Sequence, residues 1–120
     1  MTENVMYRRP RRNRKSQAIR DMVEETRVTT DDLILPLFLI DGKNNRTEVA
    51  SMPGIFRFTP DLVLKEIEQC MNMGLRAFDI FPAVEDKFKD KTATRSYDPQ
   101  FFYLRTLREV KKEFPEACIM

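Results

Sequence analysis

The chain has no histidine, so acid-base or nucleophilic chemistry would fall to its carboxylates, lysines, tyrosines and two cysteines. Cys70 and Cys118 lie far apart in segments of different periodicity, and no structural zinc site can be assembled from them. A Schiff-base lysine must be desolvated to be neutral near pH 7, yet all eight lysines stand in charged surroundings, Lys87, Lys89 and Lys91 in a single loop. Three glycines, Gly42, Gly54 and Gly74, leave no phosphate-cradling loop, and no dinucleotide, P-loop or H-E-x-x-H signature is present. The unusual group is Asp79. In Leu75-Arg76-Ala77-Phe78-Asp79-Ile80-Phe81 it shares a strand face with Ala77 and Phe81, which puts a charge near the end of a strand otherwise fit for burial. It reads either as a site residue at the carboxyl end of a barrel strand or as a structural carboxylate paired with a buried Arg or Lys from elsewhere, the second being favoured.

Charge divides the chain. Residues 1–20 carry seven basic groups against Glu3, a balance of +6, so the other hundred residues hold −4 within the overall +2. The run RRPRRNRK, with six basic positions in eight, admits two readings: contact with nucleic acid or an anionic surface, or an arm that docks on an acidic protein surface. The acidic body and the lack of interleaved aromatics favour the second. No apolar run is long enough for a membrane span and no apolar stretch follows the basic start, so the expectation is a cytoplasmic protein.

The elements that must position these groups follow from periodicity. Residues 1–15 are too poor in apolar side chains to order themselves. Ser16 is placed to cap a short helix with Ala18, Ile19, Met22 and Val23 at helical spacing, ending near Thr26. Leu33 to Ile40 is a continuous apolar run, expected as a strand buried on both faces, with Pro36 implying a bulge or a strand that starts after it. A polar loop, Lys43 to Thr47, leads to an expected hairpin, Val49–Met52 and Ile55–Phe58, around Pro53-Gly54. Thr59-Pro60 starts a helix with Val63, Ile67, Cys70 and Met71 on one face, stopped by Gly74. Leu75 to Phe81 is the next strand. After a long polar loop, Asp98-Pro99 is expected to start a helix that buries Tyr103, Leu107, Val110 and Phe114; Pro115 ends it, and Ala117 to Met120 begins a third strand.

Strand and helix alternate as in a parallel sheet with crossovers, which a doubly wound sheet and a (β/α) barrel both satisfy. The loop after Pro82 exceeds the usual βα length, a feature often functional, though surface decoration would also account for it. Three strands cannot cover both faces of a parallel sheet, so the natural protein is expected to continue. On the residues alone, a small module that binds nucleic acid or anionic surfaces through its basic arm, and a barrel enzyme of some other chemistry, stay open.

The segments RPRRNR (Arg9 to Arg14), MVEET (Met22 to Thr26), DLILPLFLIDG (Asp32 to Gly42), SMPGIFRF (Ser51 to Phe58), GLRAFDIFP (Gly74 to Pro82) and Tyr97-Asp98-Pro99 occur in this order. With that order and spacing the chain resembles the porphobilinogen synthase (delta-aminolevulinate dehydratase) family over almost its whole length. The resemblance implies the N-terminal part of a TIM (β/α)8 barrel, with residues 1–28 as an arm and 29–120 as the first two βα units, an inserted hairpin and the start of the third strand. It implies a lyase of tetrapyrrole and heme biosynthesis that condenses two molecules of 5-aminolevulinate to porphobilinogen with loss of water. The family's two substrate-holding lysines lie late in the barrel, and its metal-binding segment, for zinc and/or magnesium or of a metal-independent type, directly follows the third strand. No catalytic residue or metal ligand is therefore expected within these 120 residues. Phe81 is implied as a wall of the substrate site, where apolar surface helps depress a nearby lysine's pKa. Asp79, a weaker site candidate, departs from the apolar residue usual there. Homo-oligomerisation, to an octamer, is implied through Arg9, Arg11, Arg12, Arg14, Ile19, Met22 and Val23; neither nucleic acid nor membrane is an expected partner.

Overall fold

A computed structural model describes residues 11–120. The first of them form a single 3-10 turn, Arg12–Arg14, and a short helix α1, Gln17–Met22. The Ser16 hydroxyl accepts the Ile19 N–H at 3.3 Å, the expected cap, but the helix stops at Met22 rather than near Thr26. The Cα radius of gyration, 21.9 Å, exceeds the roughly 14 Å of a compact chain of this length, as a projecting arm requires.

The body is one five-stranded sheet in the order β2-β3-β1-β4-β5, from β1 (Ile34–Leu39), β2 (Arg46–Glu48), β3 (Phe56–Phe58), β4 (Ala77–Pro82) and β5 (Cys118–Ile119). β3, β1, β4 and β5 run parallel, and β2 is antiparallel to β3. Helices α2 (Pro60–Asn72) and α3 (Phe102–Glu113) are the crossovers. Leu37, Leu39, Phe78 and Ile80 from the sheet pack with Val63 and Ile67 of α2 and Phe102 and Val110 of α3 in one core. Full burial of such side chains supplies about 1.5–3 kcal/mol each.

Several expectations are corrected. β1 is covered on one face: Leu37 and Leu39 are buried, while Ile34 is 53% exposed on the other. Pro36 makes no bulge and starts no strand; it lies inside regular pairing, in register with Asp79. Leu39 C=O accepts from Ala83 on the β4 side and Ile40 N–H donates to Phe58 on the β3 side, so alternation turns Pro36 toward β3, which pairs β1 only at Phe38 and Leu39. The missing N–H faces no partner there. The hairpin is shifted: Arg46–Glu48, of which Arg46 and Thr47 were read as loop, pairs with Phe56–Phe58, and Val49 to Ile55 is the connection. The Arg46 guanidinium stacks 3.5 Å from the Phe56 ring centroid, and that contact favours this register over the apolar one.

α2 begins after Thr59 as expected, yet the Thr59 hydroxyl does not cap it. It accepts the Asn45 N–H (3.1 Å) and donates to Asp61 (2.8 Å), stitching the β1–β2 loop to the helix start. α3 starts later than Asp98-Pro99 because Asp98 is occupied in a turn: its carboxylate takes the Gln100 N–H, its C=O the Phe101 N–H. The helix buries Phe102, Thr106 and Val110; Tyr103, Leu107 and Phe114 only flank the core. Thr106 is tolerated inside since its hydroxyl donates to the Phe102 carbonyl at 2.8 Å.

Candidate functional site

The helices cover one sheet face and leave the other open. By strand alternation the open face carries Ile34, Pro36 and Phe38 of β1, Ala77, Asp79 and Phe81 of β4, Arg57 of β3 and Cys118 of β5. Near the carboxyl ends of the parallel strands, Arg57, Phe38 and Phe81 fall in one row, since Phe38 is in register with both of its neighbours. The Phe38 and Phe81 rings are 5.9 Å apart between centroids with a 31° interplanar angle, and Phe81 remains 45% exposed. One step toward the amino end stand Pro36 and Asp79, then Ile34, Ala77 and Cys118.

Asp79 and Phe81 are thus brought onto the same face, two residues apart. Asp79 has no ion pair or side-chain hydrogen bond among the described residues. Its charge adds to the upward shift of the Tyr103 phenol, whose first cause is burial. The arm candidates form a separate surface: α1 packs against the turn Arg12–Arg14, which includes Arg12 and Arg14 and follows Arg11, while Met22 is 84% exposed and Val23 and Ile19 are at least partly so. Arg9 lies outside the described residues. Sequence reading missed Phe38 and Arg57, although the alternation of Phe56-Arg57-Phe58 was the signal for the latter.

Beyond Pro82 the long loop is built rather than loose. The Asp90 carboxylate accepts the Thr94 N–H, the Thr92 N–H and the Thr92 hydroxyl, each at 3.0 Å, which holds its pKa down to about 2. Arg95 pairs with Asp98 at 2.6 Å and lies over the Phe88 and Phe101 rings. A cleft of about 510 Å³ opens between this loop, Pro82 to Val84 and Tyr103; Phe81 is not among its walls.

No lysine stands on the open face: Lys87 and Lys89 are in surface ion pairs, and Lys111 donates to the carbonyls of Pro115 and Ala117. Burial pushes the Cys70 thiol up, away from a reactive thiolate. No three His, Cys, Asp or Glu residues among those described are grouped to hold a metal ion, so the zinc or magnesium implied by resemblance finds no ligand set here. Among the described residues, no helix is long and apolar enough to cross a membrane. The open face offers an apolar wall, one cation, one carboxylate and, toward the amino end of the strands, the free thiol of Cys118; it can line a site but supplies no lysine for a Schiff base.

The family model for delta-aminolevulinic acid dehydratase matches residues 7–120. Proteins of that name from Chlamydia pneumoniae and Bradyrhizobium diazoefficiens are each 42% identical, over 100% and 93% of this chain and 36% and 32% of their own lengths. The crystal structure of delta-aminolevulinic acid dehydratase (porphobilinogen synthase) from Toxoplasma gondii ME49, in complex with the reaction product porphobilinogen, superposes with a TM-score of 0.85 at 36% identity, covering 96% of this chain and 32% of that one. The chain therefore spans about a third of the length of these relatives, and its sheet is the N-terminal part of a TIM barrel.

Proposed function

This chain belongs to the delta-aminolevulinic acid dehydratase family, and from that premise we propose that it is the N-terminal part of a porphobilinogen synthase, a lyase condensing two molecules of 5-aminolevulinate to porphobilinogen with loss of water. The observation that carries the reading is the match, at a TM-score of 0.85 and 36% identity, to a synthase holding that product. In this reading residues 1–28 are an assembly arm and 29–120 the first part of the barrel. Phe81 and Phe38 form a wall at the carboxyl end of the strands, where barrel active sites collect, and lower the local polarity around a lysine supplied by later strands. Asp79, deeper on the same face, faces the barrel interior. Zinc and/or magnesium would serve the full-length enzyme through residues outside those described. The arm assembles the enzyme into a homo-octamer, and the protein works in the cytoplasm.

The test is direct: the full-length enzyme, incubated with 5-aminolevulinate, forms porphobilinogen, identified by NMR and mass. Absence of that product with folded enzyme supplied with zinc and magnesium would overturn the reading.

A further inference from the structure

Arg57 is the one cation on the open face and Asp79 the one carboxylate, and each stands half-buried without an ion pair among the described residues. Phe56 and Phe58 turn the other way, so alternation sets Arg57 on the open side between its register partners Thr47 and Phe38. The other carboxylates near it are engaged: Glu48 takes the Gly54 N–H at 2.8 Å and is in register with Phe56, and Asp41 takes the Gly42 N–H at 2.8 Å. Around Asp79 the face is formed by Pro36, Phe38, Ala77 and Phe81, none of which can neutralise a charge. Cys118, in register with Ala77, is the other titratable side chain on this face, and Tyr103 of α3 is a further group that feels the Asp79 charge. Once later strands of the barrel shut water out, two lone charges on this face would each be costly, whereas a hydrogen-bonded pair is tolerated.

We infer that in the full-length enzyme Arg57 and Asp79 pair with each other across β1, as positioning residues that keep the Asp79 charge from acting on the substrate-holding lysine. The action on the lysine rests on the function proposed above; the pair itself rests on the strand register. Phe38 is the register partner of Arg57 and Pro36 that of Asp79, so the two Cα atoms lie on a diagonal of about 12 Å, two strand spacings across and two residues along. An extended arginine and an aspartate close a gap of that size. The diagonal crosses β1 between Phe38, whose ring sits against Phe81, and Pro36, whose compact ring leaves the way clear. The planar guanidinium then meets the carboxylate through two parallel hydrogen bonds. Without Arg57, a bare carboxylate one row below Phe81 favours the protonated lysine and opposes the apolar wall; without Asp79, a bare guanidinium favours the neutral one.

The experiment compares full-length wild type with Arg57→Gln, Asp79→Asn and the double variant, by thermal unfolding and by the pH dependence of kcat/KM for 5-aminolevulinate. Each single variant leaves one buried charge alone, so both melt below wild type and the double variant melts above both. The acid limb reports deprotonation of the lysine in the free enzyme. It moves up by about 0.5–1 pH unit in Arg57→Gln, down by a similar amount in Asp79→Asn, and returns to the wild-type position in the double variant. A double variant that melts no higher than the single ones, or single variants that melt with wild type, overturns the pair. Any other pattern of the acid limbs, such as shifts in one direction or none, overturns its action on the lysine. Should neither single variant fold, a folded double variant supports the pair and an unfolded one overturns it. A folded wild type that does not turn over 5-aminolevulinate sinks the proposed function, and the melting of the four proteins still decides the pair.

Discussion

Phe38 and Phe81 are register partners in the β1–β4 ladder, and their rings, 5.9 Å apart between centroids, form the aromatic end of the open face. Phe81 is substantially exposed and absent from the buried core, so its loss bears on the site more than on the fold. In full-length enzyme Phe81→Ala is expected to lower kcat/KM by about tenfold, with a melting temperature within a few degrees of wild type. Removing apolar wall lets water reach the neighbouring lysine and raises its pKa, so the acid limb of the kcat/KM profile moves to higher pH. A profile that keeps its shape and height would show that Phe81 does not border the reacting groups.

At two left-handed positions, opposite exchanges between glycine and alanine are expected to move stability in opposite directions. Gly74 (φ 96°) ends α2 with its own N–H on Met71 and the Leu75 N–H on Cys70, and a Cβ there would stand 3.2 Å from the Thr30 hydroxyl oxygen. Gly74→Ala is expected to cost about 1–2 kcal/mol. Ala93 (φ 51°) holds the same kind of backbone with a side chain, so Ala93→Gly relieves strain worth about 0.5–1 kcal/mol net of glycine's added entropy. Thermal unfolding of the two full-length variants checks both signs; a stabilised Gly74→Ala would refute the close approach.

The elements of the barrel portion were legible because period and punctuation agreed: Thr59-Pro60 and Gly74 bound α2, and Val63, Ile67 and Cys70 mark its buried side. What escaped depended on tertiary partners. Pro36 sits in a regular strand since β3 is too short to reach it, which no local pattern reveals. Thr106 is inside because its own helix satisfies its hydroxyl, and Asp98 forms a turn because Arg95 and two backbone N–H groups engage it. The shifted hairpin follows from Arg46 stacking on Phe56, an attraction invisible to a reading that seeks apolar arms. For the site, Phe81 came from resemblance, while the row it shares with Phe38 and Arg57 required the register.

Acid should loosen the loop after β4 only at very low pH. The Thr94 N–H and its neighbours hold Asp90 at about 2 against an ordinary 3.8. A folded-state pKa below the unfolded value means the ordering is complete above about 3.8 and is lost as pH falls through about 2. The Asp90 carboxyl resonance in full-length enzyme should titrate near that lower value, and Asp90→Asn should speed amide exchange at Thr92 and Thr94 at neutral pH. A titration near 3.8 would mean that the three hydrogen bonds do not persist in solution.

Expressed as these 120 residues, the protein presents exposed Ile34, Phe81 and Met120, and a β1 edge that β3 pairs only at Phe38 and Leu39. Such an edge and apolar face are expected to drive association, and the lack of any lysine on the open face to leave it without porphobilinogen synthase activity. Sedimentation and a turnover assay on the purified piece check both. A monodisperse, cooperatively melting monomer would contradict the first expectation, and product formed without full-length contaminant the second.

The arm supplies the last prediction. Met22 is 84% exposed and Val23 lies in the open beside it, while the arginines from Arg11 to Arg14 have no ion pair among the described residues. A segment with a balance of +6 over its first 20 residues and little core of its own gains most by laying Ile19, Met22 and Val23 on another subunit, where its arginines meet carboxylates. The apolar residues anchor such a contact and bidentate arginine pairs make it specific. Deleting residues 1–15 from the full-length enzyme is therefore expected to reduce the oligomer from an octamer to a smaller species in sedimentation velocity. High salt should weaken assembly of the intact enzyme only in part, because it screens the arginine contacts and leaves the apolar ones. If the truncated enzyme sediments at the same size with the same concentration dependence, the arm is not an assembly element, and RRPRRNRK is then to be tested against nucleic acid, where affinity should fall steeply with salt.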